Sequence, residues 1–305
     1  MGTPDFAVSS LAALLDAGFN VVGVITAPDR PAGRGRKLTF SAVKHYALKQ
    51  GLPVLQPKNL KSKDLHQELE ALEANLQVVV AFRMLPEVVF SMPEYGCFNL
   101  HASLLPQYRG AAPINWAVMN GETKTGVTTF FLKKAIDTGN IILQREVPIS
   151  PAQSAGELHD ELMATGAQLV VDTCTAIQNN EANTYAQVTE GIELKKAPKI
   201  FREDCEIDWN NSTEHLFNFI RGLSPYPAAW TTVEDGKTFK IFETEKDICT
   251  HEFQPGRLFT DNKTFISFAT QDGILQCLEI QLEGKRRMNT EDFLRGFAFT
   301  LPEDL

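Results

Sequence analysis

Two polar residues, Asn99 and His101, stand two positions apart in the segment FNLHASLLPQYRG, residues 98–110. Side chains at positions i and i+2 of a β-strand point to the same face of the sheet, so an extended backbone makes these two residues neighbours. An amide donor beside a titratable imidazole is suited to stabilising a developing oxyanion and to moving a proton. The same pair could simply end a strand and satisfy the backbone of the next turn, and the spacing leaves both interpretations open.

A carboxylate that could join this pair lies in the segment FFLKKAIDTGNII, residues 130–142. Asp137 follows a strand-like run and directly precedes Thr138 and Gly139, which places it in a loop at the sheet edge, within possible reach of His101. A carboxylate there would complete a group capable of acid–base chemistry. Asp-Thr-Gly is also a good turn sequence, so a purely structural role for Asp137 stays open.

The elements that must position these residues alternate between strand-like and helix-like segments. Valine-rich runs at residues 20–26 and 76–82 are typical of strands buried on both faces of a parallel sheet. Helical spacing of apolar residues predicts helices over 41–51, 62–74 and 155–177. The alternation predicts a Rossmann-like, open parallel α/β sheet with ligands at the carboxyl ends of its strands.

The two ends of the chain depart from this pattern. The opening MGTPDF resembles the turn after a first strand, so either the sequence given starts late or the sheet lacks a strand. Residues 183–204 are polar and weakly periodic, which predicts a linker. From residue 205 onward, one helix-like segment and several short alternating runs indicate an OB-like β-barrel. The predicted domains are therefore 1–182, the linker 183–204, and 205–305.

Composition limits the class of protein. At 305 residues the chain suits two domains, and no stretch approaches the roughly 20 apolar residues of a membrane span. Its five scattered cysteines form no Cys-x-x-Cys pair and no Cys/His cluster, which favours reduced thiols and predicts neither disulfides nor a metal site. No targeting segment is visible, so the predicted location is the cytoplasm.

A net charge of −9 argues against nucleic-acid binding by overall attraction. Basic residues nevertheless cluster in three places. The clusters are Arg30, Arg34, Arg36 and Lys37; Lys195, Lys196, Lys199 and Arg202; and Lys285, Arg286 and Arg287. Each cluster by itself is more simply a solvated face, while the alternative is local contact with phosphates.

Several motifs occur together in a fixed order: MGTPDFAV, PDRPAGRGRKL, FNLHASLLPQYRGAAPINWAV, GVTTF, IDTGNII, APKI, IRGLSPYPAAW and LEIQLEGKRRM. With these motifs the chain resembles the methionyl-tRNA formyltransferase family from residue 1 to about residue 296. The resemblance implies a Rossmann-like formyltransferase domain, a linker and an OB-like tRNA-binding domain. It also implies formyl transfer from 10-formyltetrahydrofolate to the α-amine of methionine carried by initiator tRNA, without a metal, a membrane or an obligate protein partner.

The resemblance further implies roles for single residues. The family's catalytic group falls on Asn99, His101 and Asp137. Its folate-contacting Ser-Leu-Leu-Pro falls on Ser103, Leu104, Leu105 and Pro106. The tRNA-sensing loop matches residues 28–38, where Arg34 and Arg36 are the foremost candidates. The other candidate tRNA contacts are Arg30, Lys37, Lys195, Lys196, Lys285, Arg286 and Arg287.

The chain departs from the family at Arg83 and Ala135, where glycine is usual, and both departures put the shape of the folate pocket in doubt. Two alternatives to the tRNA activity stand beside this resemblance. One is the same folate chemistry on another amine, such as glycinamide ribonucleotide or an amino-sugar nucleotide. The other is a non-catalytic tRNA-binding protein in which the OB-like domain acts and the α/β domain is a scaffold.

Overall fold

The computed structural model describes residues 1–32, 37–233 and 236–300. The chain forms two compact units. The first unit comprises residues 1–110, 124–148 and 160–196, and the second unit comprises residues 111–123, 149–159 and 197–305. Each unit gathers separated segments, so the contiguous boundaries expected near residues 182 and 204 stay a prediction.

Strands and helices alternate along the first unit, and strands dominate the second. The strands are β1 (Val24–Ile25), β2 (Arg30–Ala32), β3 (Lys37–Thr39), β4 (Val54–Leu55), β5 (Gln77–Val80), β6 (Cys97–His101), β7 (Arg109–Gly110), β8 (Lys124–Phe131), β9 (Ile141–Pro148), β10 (Lys196–Ala197), β11 (Ala229–Val233), β12 (Lys237–Ile248), β13 (Leu258–Thr260), β14 (Ile266–Ala269), β15 (Gly273–Leu282) and β16 (Met288–Asn289). The helices are α1 (Asp5–Asp16), α2 (Ala42–Lys49), α3 (Lys63–Ala71), α4 (Glu87–Phe90), α5 (Pro113–Met119), α6 (Ala155–Gln178), α7 (Thr213–Leu223) and α8 (Thr290–Leu294). Of the helices in the described ranges, none has the length and apolar character needed to cross a bilayer.

The helices predicted from spacing are confirmed as α2, α3 and α6, and their ends have local causes. Ser41 and Ser62 cap α2 and α3, because their hydroxyl oxygens accept hydrogen bonds from backbone N–H groups in the first turn. Gly51, at φ +68°, follows the end of α2. Helices α1, α4, α5 and α8 were not predicted. Helix α1 directly follows Pro4, and α5 begins at Pro113.

The main sheet of the first unit has the strand order β5-β6-β8-β9. Strands β5 and β6 are parallel, whereas β8 runs antiparallel to both β6 and β9. A parallel pair, β1 and β4, lies elsewhere in the same unit. The Rossmann-like fold class is thus confirmed, but the sheet is parallel only in part, because β6, β8 and β9 follow one another as an antiparallel meander.

The first residues of the chain lie between β1 and β5. Gly2 N–H donates to the Ile25 carbonyl oxygen at 3.0 Å, and Val80 N–H donates to the Met1 carbonyl oxygen at 2.9 Å. Gly2 also forms a parallel bridge with Val80. Met1 and Gly2 therefore connect the two parallel pairs where the sequence analysis found no first strand. A cavity of about 720 Å³ adjoins them, with Leu76 among its lining residues.

The second unit is built on an antiparallel sheet of order β11-β12-β15-β14-β13, with β16 added to β15. Each short alternating run that was predicted to be a strand forms a strand in this sheet. The register between β12 and β15 shifts near Glu243, and such bulges increase the local twist of a sheet. Helix α7 buries Leu216, Ile220 and Leu223 in a core with residues of this curled sheet.

The five cysteines are free thiols, and four of them are buried. Burial raises the pKa of the Cys97 and Cys174 thiols to about 12 and that of Cys205 to about 11. Burial also raises the pKa of Cys277. Thiolates are the reactive form, so these four thiols should react slowly in the folded protein.

We therefore expect iodoacetamide at pH 8 to alkylate the half-buried Cys249 first and the other four cysteines only after unfolding. Peptide mass spectrometry over time measures this order. Labelling in denaturant is the control, since all five thiols should then react. Equal labelling rates for Cys97 and Cys249 in the native protein would contradict the burial of the Cys97 thiol.

Candidate active site

Strand β6 places Asn99 and His101 on one face of the sheet. Asn99 lies opposite Val79 of β5 and Phe130 of β8, and His101 lies opposite Thr128. The His101 side chain is buried, and Asn99 is half-buried. Within the described ranges, the Asn99 side chain forms no hydrogen bond, so its amide N–H groups remain available to a substrate oxygen.

The orientation of the His101 ring is set by a backbone carbonyl. His101 Nε2 lies 2.9 Å from the Tyr108 carbonyl oxygen. A carbonyl only accepts hydrogen bonds, so Nε2 carries the proton and donates it. In the neutral ring Nδ1 then holds the lone pair, and this atom faces Asp137 Oδ2 at 3.9 Å.

The carboxylate of Asp137 is within reach of His101, but the distance of 3.9 Å between His101 Nδ1 and Asp137 Oδ2 is too long for a hydrogen bond. It is short enough for a direct electrostatic interaction between the carboxylate and the ring when Nδ1 carries a proton. Asp137 does lie on the same side of the sheet as His101. The structure thus brings the two residues close together without a direct hydrogen bond between them.

The Asp137 loop has an unusual backbone. Asp137 has φ +53°, a left-handed conformation in which aspartate and asparagine are enriched among residues other than glycine. Its Oδ2 atom accepts a hydrogen bond from Gly110 N–H at 3.0 Å. A Cβ atom on Gly139 would lie only 1.5 Å from the Phe131 carbonyl oxygen, so glycine is required there. The Asp-Thr-Gly turn and the catalytic interpretation of Asp137 are therefore compatible.

The segment Ser103–Pro106 leads into a turn at residues 105–108 and is held by Thr128. The Thr128 hydroxyl donates to the Ser103 carbonyl oxygen at 2.6 Å and accepts from Leu105 N–H at 3.2 Å. Ser103 is fully buried, and Leu105 is 3% exposed and packs among Phe130 and Ile141. Of the four candidate folate contacts, only Leu104 and Pro106 present partly exposed side chains.

The two departures from the family pattern lie at the surface. Arg83 Nη1 donates to the Lys58 carbonyl oxygen at 3.1 Å, and the same guanidinium also donates to the Pro57 carbonyl oxygen. Ala135 is exposed, and its carbonyl oxygen accepts a hydrogen bond from the Thr138 hydroxyl at 2.9 Å. The Arg83 side chain is thus hydrogen-bonded to a neighbouring loop, and the Ala135 carbonyl stabilises the turn that carries Asp137.

The basic residues of the first unit fall into two groups. Arg34 and Arg36 lie outside the described residues, as does the side chain of Lys37. Arg30 is exposed on β2, and Lys195 and Lys196 are exposed near the end of the polar segment predicted as a linker.

In the second unit, neighbouring basic residues have different surroundings. Arg287 pairs with Glu279 and lies 4.2 Å from the centroid of the Phe242 ring. Arg286 is exposed, and its guanidinium contacts no partner in the parts of the chain that the structure describes. Lys285 is also exposed, and its carbonyl oxygen accepts from the Gln281 amide. In the described parts of the chain, Arg286 thus differs from Arg287 in that its guanidinium is not paired.

Sequence reasoning missed the groups that orient the candidate site, namely the Tyr108 carbonyl, the Gly110 N–H and the Gln187 amide. Gln187 donates to the backbone carbonyl oxygens of Asp137 and Gly139. Two of these three groups belong to the backbone, and residue type does not encode their role. The Tyr-Arg-Gly turn soon after His101 was the sequence signal that could have indicated these backbone contacts. No group of His, Cys, Asp and Glu side chains in the described ranges is arranged to hold a metal ion.

Comparison with known proteins gives a consistent set of relatives. A formyl transferase family model matches residues 1–174, and a model of the formyl transferase C-terminal domain matches residues 199–298. The chain is 56% identical to a methionyl-tRNA formyltransferase of Parabacteroides distasonis, over 97% of this chain and 94% of the relative. It is 52% identical to the enzyme of that name from Flavobacterium johnsoniae, over 98% and 96% of the two chains.

Solved structures show the same fold at lower identity. The crystal structure of WlaRD, a sugar 3N-formyl transferase, aligns with a TM-score of 0.64 and 21% identity over 93% of this chain and 97% of that one. An N-formyltransferase from Helicobacter canadensis aligns with a TM-score of 0.63 and 21% identity over 94% and 97%. At 21% identity, these two alignments show a similarity of fold alone.

Proposed function

This chain belongs to the methionyl-tRNA formyltransferase family, and we propose that Asn99, His101 and Asp137 perform its reaction with 10-formyltetrahydrofolate as donor. The enzyme transfers a formyl group from a folate donor to the α-amine of methionine on initiator tRNA. The proposal for the three residues rests on one observation. An unengaged amide and an oriented imidazole share one face of β6, and a carboxylate lies 3.9 Å from that imidazole.

The donor, when bound, supplies an electrophilic formyl carbon whose oxygen gains negative charge as the amine attacks. The residues present fit this requirement. The free N–H groups of Asn99 can donate to that oxygen, and preorganised donors of this kind are usually the largest electrostatic contribution to catalysis. Leu104 and Pro106 offer partly exposed apolar surface beside β6 for the donor.

His101 and Asp137 together can take the proton that the attacking amine must lose. Because Nε2–H is bonded to the Tyr108 carbonyl, the acceptor on the neutral ring is Nδ1. Once Nδ1 is protonated, the imidazolium faces the carboxylate of Asp137, whose charge stabilises it. The proton can then pass to the departing folate nitrogen. Asp137 therefore acts in this proposal through its charge, 3.9 Å from His101 Nδ1, and no direct hydrogen bond is needed.

The test of the function is formylation of charged initiator tRNA with 10-formyltetrahydrofolate. We expect methionyl-initiator tRNA to be formylated, while uncharged initiator tRNA and an elongator methionyl-tRNA serve as controls. Lack of formylation of methionyl-initiator tRNA would overturn the proposal. An amino-sugar nucleotide should remain unmodified. That alternative is not favoured, because the relatives above 50% identity are named methionyl-tRNA formyltransferases.

The cytoplasm as location and the basic clusters as tRNA contacts are further parts of this proposal. Arg286 provides the sharpest test of a cluster, because it is exposed and no partner in the described ranges engages it. We expect Arg286→Ala to raise KM for tRNA, leave KM for the folate donor unchanged, and lower the salt dependence of tRNA binding by about one phosphate contact. Arg295→Ala is the matched control, since Arg295 is exposed and pairs with Asp292. Equal KM values for the two variants would contradict the role of Arg286.

A further inference from the structure

We infer that Gln187 is a positioning residue that holds the Asp137 loop in its active geometry, an inference that rests on the proposed function. The loop needs such support, because Asp137 adopts φ +53° and left-handed residues other than glycine carry backbone strain. Within the described ranges, residues 135–139 receive hydrogen bonds from other segments at two places. One is Gly110, which binds the carboxylate, and the other is Gln187, which binds the backbone.

The Gln187 amide is fully engaged. Its Nε2 atom donates to the Asp137 carbonyl oxygen at 2.8 Å and to the Gly139 carbonyl oxygen at 2.9 Å. Its Oε1 atom accepts from Arg109 Nε at 3.0 Å, and the charged guanidinium can only donate. The amide can therefore adopt only one of its two flipped orientations, and that orientation spans both sides of the Asp137 loop.

The segment that carries Gln187 is anchored on either side of it. Tyr185 exchanges backbone hydrogen bonds with Ile141 of β9, and its hydroxyl donates to Gln144 Oε1 at 3.0 Å. Farther along, the Gln107 amide donates to the Glu193 carbonyl oxygen at 2.9 Å. Gln187 thus reaches the Asp137 loop from a backbone fixed at β9 and at the turn after His101. The polar stretch predicted as a linker contributes directly to the site.

The decisive variant is Gln187→Glu, which keeps the length of the side chain and an acceptor for Arg109. It replaces the amide donors by a carboxylate that faces two carbonyl oxygens. We expect kcat to fall by about 10- to 100-fold, because small displacements of a reacting group have effects of this size. KM for tRNA and for the folate donor should stay within about twofold.

Val188→Glu is the matched control, since it adds the same charge at an exposed neighbour and removes no hydrogen bond of Gln187. A double-mutant cycle separates positioning from a general structural role. If Gln187 acts through Asp137, Gln187→Glu causes no further loss of kcat in the Asp137→Asn background. A purely structural effect would reduce kcat by the same factor in both backgrounds.

The inference is overturned if kcat of Gln187→Glu equals that of Val188→Glu. It is also overturned if the kcat loss of the double variant is the product of the losses of Gln187→Glu and Asp137→Asn. If thermal unfolding shows that Gln187→Glu is not folded, the same double-mutant cycle is carried out with Gln187→Met. This variant removes both the donors and the acceptor of the side chain. Failure of the wild-type chain to formylate methionyl-initiator tRNA would overturn the proposed function. An active wild type with an unaffected Gln187→Glu would overturn only the positioning role.

Discussion

Asp137→Asn is expected to lower the rate of formyl transfer by about 10²- to 10⁴-fold, the range typical of general acid–base groups. The substitution is close to isosteric. Asparagine tolerates the left-handed backbone at φ +53°, and its side-chain oxygen can still accept from Gly110 N–H. What it loses is the negative charge 3.9 Å from His101 Nδ1, and with it the stabilisation of a protonated ring.

Single-turnover rates at saturating methionyl-initiator tRNA measure this loss, and thermal unfolding should show little change in stability. Asp172→Asn is the matched control, because it removes a partly exposed carboxylate that pairs with Arg145. Its rate should equal that of the wild type. A rate for Asp137→Asn within threefold of the control would mean that the carboxylate serves only the turn, the alternative left open by the sequence.

Asn99→Ala is expected to lower kcat by about 10²- to 10³-fold, as observed when one oxyanion donor is removed from an enzyme. The variant should fold normally, since the Asn99 amide forms no hydrogen bond in the described ranges and is half-buried. Asn99→Asp should be slower still, because a carboxylate would face the oxygen on which negative charge develops. Both losses should appear in kcat, because this interaction strengthens only in the transition state.

Asn179→Ala, at an exposed position beyond α6, is the control for the asparagine substitutions. Its kcat should match that of the wild type. If Asn99→Asp proved faster than Asn99→Ala, the amide could not be donating to the developing oxyanion, and Asn99 would be left with a structural role in β6.

Local pattern was sufficient to predict much of the fold. Valine-rich runs and helical spacing predicted β5, α2, α3 and α6, and the alternating runs predicted the sheet of the second unit. The prediction failed where elements depend on distant partners. Helix α5, for example, packs against α7 within the second unit. There the Asn115 amide donates to the Gly222 carbonyl oxygen at 2.8 Å, a contact between residues far apart in the chain.

By itself the sequence determined the fold class and the family, and it predicted the three residues of the candidate site, because side-chain type and order along the chain carry that information. The tertiary structure decided the rest. It set the His101 ring by the Tyr108 carbonyl, held Asp137 by Gly110 and Gln187, and placed Ser103 and Leu105 in the interior. These arrangements depend on backbone groups and on segments separated by up to 50 residues, and no local spacing rule encodes them.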